Sequence, residues 1–461
     1  MELFFNSVKK YCNSDFSSFH IPAHKGLYKG AKFDLTEIPC TDDLYDSRGL
    51  ISKSEVLASE IYGSGVTVFS TGGNTLCIQT MLRIAFPCGG RIIAAVNIHK
   101  SAINAMALLN IEPVWAGVYE GQNVLASTIE QAIEENPDSG AVYITSPDYF
   151  GIMSDIKKIK EVCGKIPLLV DNAHGSHLKF MNLHPLEFGA DICADSAHKT
   201  LPQVLTGGAL LHVKKGFCPS GSNIMVKYKD VKEAMSIFGS SSPSFLTIIS
   251  LEKCMNWLKN NGKKEFEKLA KKVNKIKQNA AEYNLNILGQ CLLQKKYIKD
   301  SKSSLIKTDP IRITFNFQQE TETQKFLNHL YLNKIEPEFA GDKRIVLIPS
   351  PFNSKRDFDR LHQAIVSSSK LNKFKFKEHN NSKNKITFYK PKKICPKISL
   401  EEAFFSPTKR VNAEKSIGRI SSRTVFKCPP GVPIVFPGEE ICEHHMELMR
   451  KYKILDISVL I

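Results

Sequence analysis

The chain has 461 residues, 42% hydrophobic and 23% charged, which is material for two to four domains of roughly 100 to 200 residues and too apolar for a wholly disordered polypeptide. Lysine and arginine total 62 against 46 acidic residues, a formal charge of +16, so a nucleic-acid or membrane-surface role has to be weighed. Much of that excess sits between Lys370 and Lys397, where ten lysines accompany one acidic residue, Glu378. With asparagines interspersed and no zinc-finger, KH or RNP pattern nearby, this reads as a solvated basic linker over 369–398, and neither nucleic acid nor membrane is expected as a partner. No apolar run approaches the roughly 20 residues of a spanning helix, and residues 1–10 lack a signal-peptide layout, so a cytoplasmic protein is expected. Twelve cysteines scattered from Cys12 to Cys442 contain no C-x-x-C pair, which predicts reduced, mostly buried thiols and no metal site.

In chain order, residues 1–50 read as an N-terminal arm and 51–285 as a large domain. From Gly65 to about Val213, short apolar runs alternate with helical patterns at βαβ spacing. Val66–Phe69, Arg91–Val96, Ala141–Thr145, Pro167–Val170, Asp191–Ala194 and Gly208–Val213 are uniformly apolar, as strands buried on both faces should be. Between Ser244 and Tyr283 the pattern predicts two lysine-rich amphipathic helices parted at Asn260-Asn261-Gly262. A smaller α+β unit over 286–368 is predicted from the strands Ile311–Phe317 and Arg344–Ile348, with helices over 322–332 and 357–366. After the linker, residues 399–461 form a C-terminal segment in which Cys428 to Gly438, with its four prolines, demands an extended, turn-rich path.

Three pieces of the large domain lie just beyond strand C-termini, where an α/β sheet places its site. Ser70-Thr-Gly-Gly-Asn-Thr75 opens a helix, and its glycines let backbone N–H groups close on an anion. Asp171 begins Asp171-Asn-Ala-His-Gly-Ser-His177, and a carboxylate shielded at a strand end calls for a cation such as a protonated pyridine nitrogen. Lys199 ends Ser196-Ala-His-Lys199, where an amine can meet an aldehyde and Ser196 and His198 its phosphate. Singly, each has a plainer reading: a strand-to-helix turn, a helix N-cap and a surface lysine. Together, in this order and spacing, they have the layout of pyridoxal-phosphate enzymes of the aspartate-aminotransferase fold.

The motifs extend further. Ile21-Pro-Ala-His-Lys-Gly26, Asp34-Leu-Thr-Glu-Ile-Pro39, Asp42-Asp-Leu44, His99-Lys-Ser101, Ser242-Pro-Ser244, Gly418-Arg-Ile420, Pro429-Pro-Gly431 and Pro437-Gly-Glu439 stand in the order in which the chain resembles the ornithine/lysine/arginine decarboxylase family. The resemblance covers most of the chain and implies the short form without an N-terminal receiver-like domain. It implies a fold type I large domain with a mostly parallel seven-stranded sheet, a smaller C-terminal α+β domain, and decarboxylation of arginine, lysine or ornithine in polyamine metabolism. Carried over by resemblance, Lys199 would hold pyridoxal 5'-phosphate, Asp171 would meet its ring nitrogen and His99 would stack on the ring. Gly72, Gly73, Asn74, Ser196 and His198 would hold the phosphate, with Ser241 and Ser242 reaching over from the second subunit of a homodimer or larger assembly. His99 as a plain helix cap is the alternative for that residue.

Val96, Asp148, Asn172 and Arg423 depart from the family pattern and bear on the substrate. Asp42, Asp43, Glu336 and Glu338 are the acids left to meet a cationic side chain. A pyridoxal-phosphate aminotransferase, or an enzyme of other alpha-carbon chemistry with the same cofactor, is the nearest alternative and a basic nucleic-acid-binding protein the distant one.

Overall fold

The computed structural model describes residues 2–14, 20–25, 30–118, 123–289, 307–369, 394, 396–427 and 432–461. Most of the basic stretch between 370 and 395, and the Pro429-Pro-Gly431 motif, therefore lie outside the described residues. In chain order the large unit contains α1 (Leu3–Cys12), α2 (Leu50–Tyr62), β1 (Val66–Ser70), α3 (Gly73–Ala85), β2 (Gly90–Ala95), α4 (Lys100–Leu108), β3 (Ile111–Ala116), α5 (Ala126–Glu135), β4 (Ala141–Thr145) and β5 (Ile152–Met153). It continues with α6 (Ile156–Cys163), β6 (Leu168–Asp171), β7 (Ile192–Asp195), α7 (Ala197–Thr200), β8 (Ala209–Val213), α8 (Tyr228–Ser236) and α9 (Phe245–Glu282).

Seven of these strands form one sheet in the order β1-β8-β7-β6-β4-β2-β3. β7, β6, β4, β2 and β3 run parallel, and β8 is antiparallel to both of its neighbours. β4, β6, β7 and β8 are buried throughout, which is why their sequences are apolar without alternation. β3 was not expected from the sequence. Its Ile111-Glu-Pro-Val-Trp-Ala116 is mixed in polarity because it is the sheet's edge, where proline costs no central ladder bond.

The two helices expected between Ser244 and Tyr283 are one, the 38-residue α9. Asn260 and Asn261 do not break it: their side-chain amides donate to the carbonyls of Asn256 and Trp257 one turn back. Gly262 is a packing residue, since a Cβ there would lie 2.6 Å from the Phe180 ring. One apolar core runs from α1 (Phe4, Val8) along α9 (Phe245, Leu258, Phe266, Ile276) to Phe315 and Ile345 of the smaller unit. That unit comprises β9 (Asn286–Ile287), β10 (Lys307–Thr308), β11 (Ile313–Asn316), α10 (Glu320–Leu332), β12 (Phe339–Gly341), β13 (Arg344–Leu347) and α11 (Lys355–Ser368). Its antiparallel sheet has the order β12-β13-β11-β9, while β10 pairs with β5 of the large unit.

The C-terminal segment comprises α12 (Leu400–Phe405), β14 (Thr408–Asn412), β15 (Val425–Lys427), β16 (Val432–Val435), α13 (Glu443–Lys451) and β17 (Asp456–Leu460). β14 pairs with β17 and β15 with β16, over a small core that includes Val435, Met446, Met449 and Val459. The segment covers the exposed edge of the large sheet. Phe436 packs on Trp115 of β3 at 4.2 Å, and the Leu400 N–H donates to Glu112 at 3.2 Å, so the edge is not left open to another strand. The described cysteines are free thiols; Cys77, Cys163, Cys193 and Cys254 are buried, whereas Cys88 is exposed.

A buried ion pair joins α2 to α8. Lys232 Nζ donates to Glu55 at 2.6 Å, both side chains are at most 2% exposed, and Glu55 also accepts from the Phe69 N–H at 2.7 Å and from the Tyr228 hydroxyl. Removing one charge strands the other. Lys232→Met is expected to destabilise the fold by roughly 3 to 5 kcal/mol, and adding Glu55→Gln should recover much of that loss, because the amide keeps an acceptor for Phe69 without the charge. Thermal unfolding of both variants measures the effect.

Candidate active site

Asn74, His99, Asp171, Ser196, His198 and Lys199 converge at the C-terminal end of the large sheet. Asp171 closes β6, pairing with Thr145 of β4 and Ala194 of β7. It is 2% exposed. The Asn74 amide, on the first turn of α3, donates to Asp171 Oδ1 at 2.8 Å, and the Ala173 N–H donates to the same oxygen at 3.1 Å. Burial pushes this carboxyl up to about 6. A group so placed gains from any cation brought to it.

Lys199 lies in α7, directly after β7, with its side chain accessible. Its Nζ is 3.2 Å from His174 Nε2, and the His174 Nδ1 faces the Arg312 guanidinium at 3.4 Å. A neutral imidazole has one proton for two nitrogens, and Arg312 can only donate. Nδ1 therefore accepts, and Nε2, facing Lys199 Nζ, carries the proton. Burial holds His174 well below its ordinary range, so the neutral ring is the prevailing one. Arg312 is itself anchored by Asp309, 3.7 Å from its Nε, and Asp309 meets His177 Nε2 at 3.0 Å.

His99 follows β2 and caps α4. Its Nδ1 accepts from the Ser101 N–H at 3.2 Å, leaving the ring proton on Nε2, and burial pushes it down to about 4, so the ring is neutral near pH 7. The capping expected as the plainer reading of His99 is present. His198 donates from Nδ1 to the Gly208 carbonyl at 3.2 Å and stands 3.4 Å from the Ser196 hydroxyl, which is fully buried.

The glycine turn is arranged differently from a bare anion cradle. The Gly72 N–H donates to Ser70 Oγ at 3.2 Å, and the Gly73 N–H, at a residue with φ +69°, donates to the Gly207 carbonyl at 2.8 Å. Asn74 and Thr75 supply the first-turn N–H groups that have no acceptor within the helix. Ser241 and Ser242 are exposed on the loop between α8 and α9, with the Ser242 N–H on Ser240 Oγ. Among the described residues, none of the hydrogen bonds of the Lys199 cluster reaches them.

Four candidate acids separate. Asp42 accepts the N–H groups of Arg48, Gly49 and Ile51, and Asp43 those of Tyr45 and Asp46, so both hold turns at the start of α2. Glu336 accepts from Tyr331 on the surface. Glu338 accepts from the Tyr149 hydroxyl at 3.2 Å, and the Tyr149 ring meets His174 edge-on at 5.3 Å, which links Glu338 to the Lys199 cluster through Tyr149. Of the departures from the family pattern, Val96 packs on the sheet's core. Asp148 is pushed up to about 6 by burial and accepts the Phe150 and Ile152 N–H groups. Arg423 donates to the carbonyls of Phe404 and Ser422, outside the cluster. Sequence reasoning missed His174, although it lies within the Asp171 motif, and Arg312, which carries no local signal.

Pyridoxal phosphate fits this donor set: a buried carboxylate that would meet a cationic ring nitrogen, a lysine amine that would meet the aldehyde, a neutral histidine, and a helix N-terminus with Ser196 and His198 that would meet the phosphate. Relatives agree in family and in fold. Residues 3–337 match the Orn/Lys/Arg decarboxylase major domain and residues 382–456 its C-terminal domain. An arginine decarboxylase of Bacillus subtilis is 28% identical over 97% of this chain and 92% of its own, and one of Halalkalibacterium halodurans is 29% identical over the same shares. The lysine decarboxylase of Francisella novicida superposes with a TM-score of 0.79 at 16% identity, over 100% of this chain and 81% of its own. With the major-domain match running from the arm through the Lys199 site into the smaller unit, the chain belongs to the Orn/Lys/Arg decarboxylase family.

Proposed function

We propose that this decarboxylase acts on arginine, with lysine and ornithine as the competing substrates, and carries pyridoxal phosphate on Lys199. The observation that carries the reading is the Arg312–His174–Lys199 row beside buried Asp171. The relatives named arginine decarboxylase favour arginine among the three. When bound, the cofactor supplies an electron sink for the pair left on Cα as CO2 departs.

This chain's residues do the rest. Asp171, held by Asn74, offers a carboxylate to a cationic ring nitrogen and keeps a proton there. His99, neutral and fixed by its cap, offers a flat face. The first turn of α3, Ser196 and His198 meet the phosphate, and an anion at His198 favours its protonated form. Lys199 Nζ and His174 Nε2 are the groups that exchange a proton with Cα. Glu338, paired with Tyr149, meets the cationic end of the substrate. Ser241 and Ser242, exposed in the single chain, complete the site of a second copy. The domain limits at 50, 285, 368 and 398 are retained as our division of the chain.

Adding pyridoxal phosphate to the purified protein should produce a visible absorption band, and CO2 and amine should form from arginine faster than from lysine or ornithine. Glu338→Gln should raise KM for the preferred substrate by about tenfold with a smaller change in kcat. A loaded enzyme that releases CO2 from none of the three overturns the proposal.

A further inference from the structure

A fully buried polar cluster lies directly behind the site. Asp195, the last residue of β7, His184 and His212 are each 0% exposed. Asp195 Oδ1 accepts the Asn172 amide at 2.7 Å, its Oδ2 is 3.2 Å from His184 Nε2, and His212 Nε2 stands 3.5 Å from the same oxygen. Thr67 fixes the far side of the His212 ring at 2.8 Å, and Tyr62 stacks on it at 4.1 Å. Asn172 is also 0% exposed, with its Oδ1 pressed against Gly175, where a Cβ would stand only 2.0 Å away. Because an ionised carboxylate only accepts, the amide turns Nδ2 toward Asp195.

Two His and one Asp within reach of one another resemble a metal site. The hydrogen bonds point elsewhere. His184 Nδ1 accepts the Leu186 N–H at 3.4 Å, which leaves the ring proton on Nε2, so His184 turns an N–H toward Asp195 where a metal would need a lone pair. Burial alone would raise Asp195, but His184 and His212 hold it below the usual carboxylate range. The cluster is an ionised carboxylate fixed by donors.

Its position gives it a task. The last backbone bond between β6 and β7 runs from the Asn172 N–H to the Ala194 carbonyl at 2.9 Å. Beyond it the two strands part, one, just past Asp171, into Ala173–His174 and the other into Ser196–Lys199. The Asn172–Asp195 bond ties them at that fork. We propose that Asp195 is a positioning residue of the cofactor site, acting through Asn172 to hold Asp171 and Lys199 at the spacing one ring requires. This rests on the assignment of Lys199 and Asp171 to pyridoxal phosphate. A donor–acceptor pair with a charged partner, buried and single-oriented, sets such spacing within tenths of an ångström.

The test is a double-mutant cycle read as the dissociation constant for pyridoxal phosphate and the position of the visible band. Asp195→Ala and Asn172→Ala should each weaken cofactor binding by about tenfold and shift the band, and the double variant should bind no more than about threefold worse than the weaker single. The exchanged pair, Asn172→Asp with Asp195→Asn, keeps volume and one amide–carboxylate bond with its direction reversed, and should restore most of the affinity; it also answers the case where the alanine variants fail to fold. Wild-type affinity and spectrum in the folded singles, or strictly additive losses, overturn the proposal. So does a stoichiometric transition metal in the purified wild-type protein. If the wild-type protein itself does not load the cofactor, the Lys199 assignment has failed instead.

Discussion

Lys199→Ala is expected to abolish the visible band formed on adding pyridoxal phosphate and to lower decarboxylation by at least about a thousandfold. The effect is large because the row ends on a single amine: His174 Nε2 lies 3.2 Å from Lys199 Nζ, and Arg312 sets the proton on that ring from 3.4 Å on the other side. Without the amine there is no covalent holder for an aldehyde, and one of the two groups that exchange a proton with Cα is lost. Borohydride reduction of the loaded wild-type protein followed by peptide mapping should place the label on the peptide containing Lys199. A label on another lysine removes the assignment, and an unlabelled but fully active protein removes the covalent chemistry.

Asp171→Asn is expected to retain cofactor binding and lose turnover by about a hundredfold or more, because an amide cannot hold a cationic ring nitrogen as a carboxylate does. The same residue should be visible in the cofactor-free protein. Its folded value, about 6, lies above the ordinary 3.8, so between these limits the folded state binds more protons than the unfolded one. Stability from this residue is therefore full below pH 3.8 and declines as the pH rises through about 6, by up to roughly 3 kcal/mol. Asp195 and Asp309, held low by their histidines, contribute the opposite slope at lower pH in wild type and variant alike. The difference between wild-type protein and Asp171→Asn isolates the carboxylate: relative to wild type, the variant should gain stability from pH 4 to pH 6. Thermal unfolding of both proteins across that range measures it, and a flat difference would contradict the buried, cation-seeking carboxylate.

What the amino-acid sequence determined by itself was whatever depends on local pattern. The central strands were legible because burial on both faces leaves uniformly apolar runs, and the position of Asp171 and Lys199 at strand ends was legible because those runs stop just before them. α9 was misread because Gly262 is a helix breaker in isolation, and only the arrival of Phe180 against it explains why a glycine stands there. β3 was missed because an edge strand has one covered side and tolerates Pro113. The tertiary structure alone decided the partnerships: Arg312 with His174 across 138 residues, Tyr149 with Glu338 across 189, and Asp195 with both His184 and Asn172. These pairings depend on which strands lie side by side and on which side chains are starved of water there. A residue's type states what it can donate or accept; the fold, by removing solvent and fixing neighbours, decides which of those capacities is used.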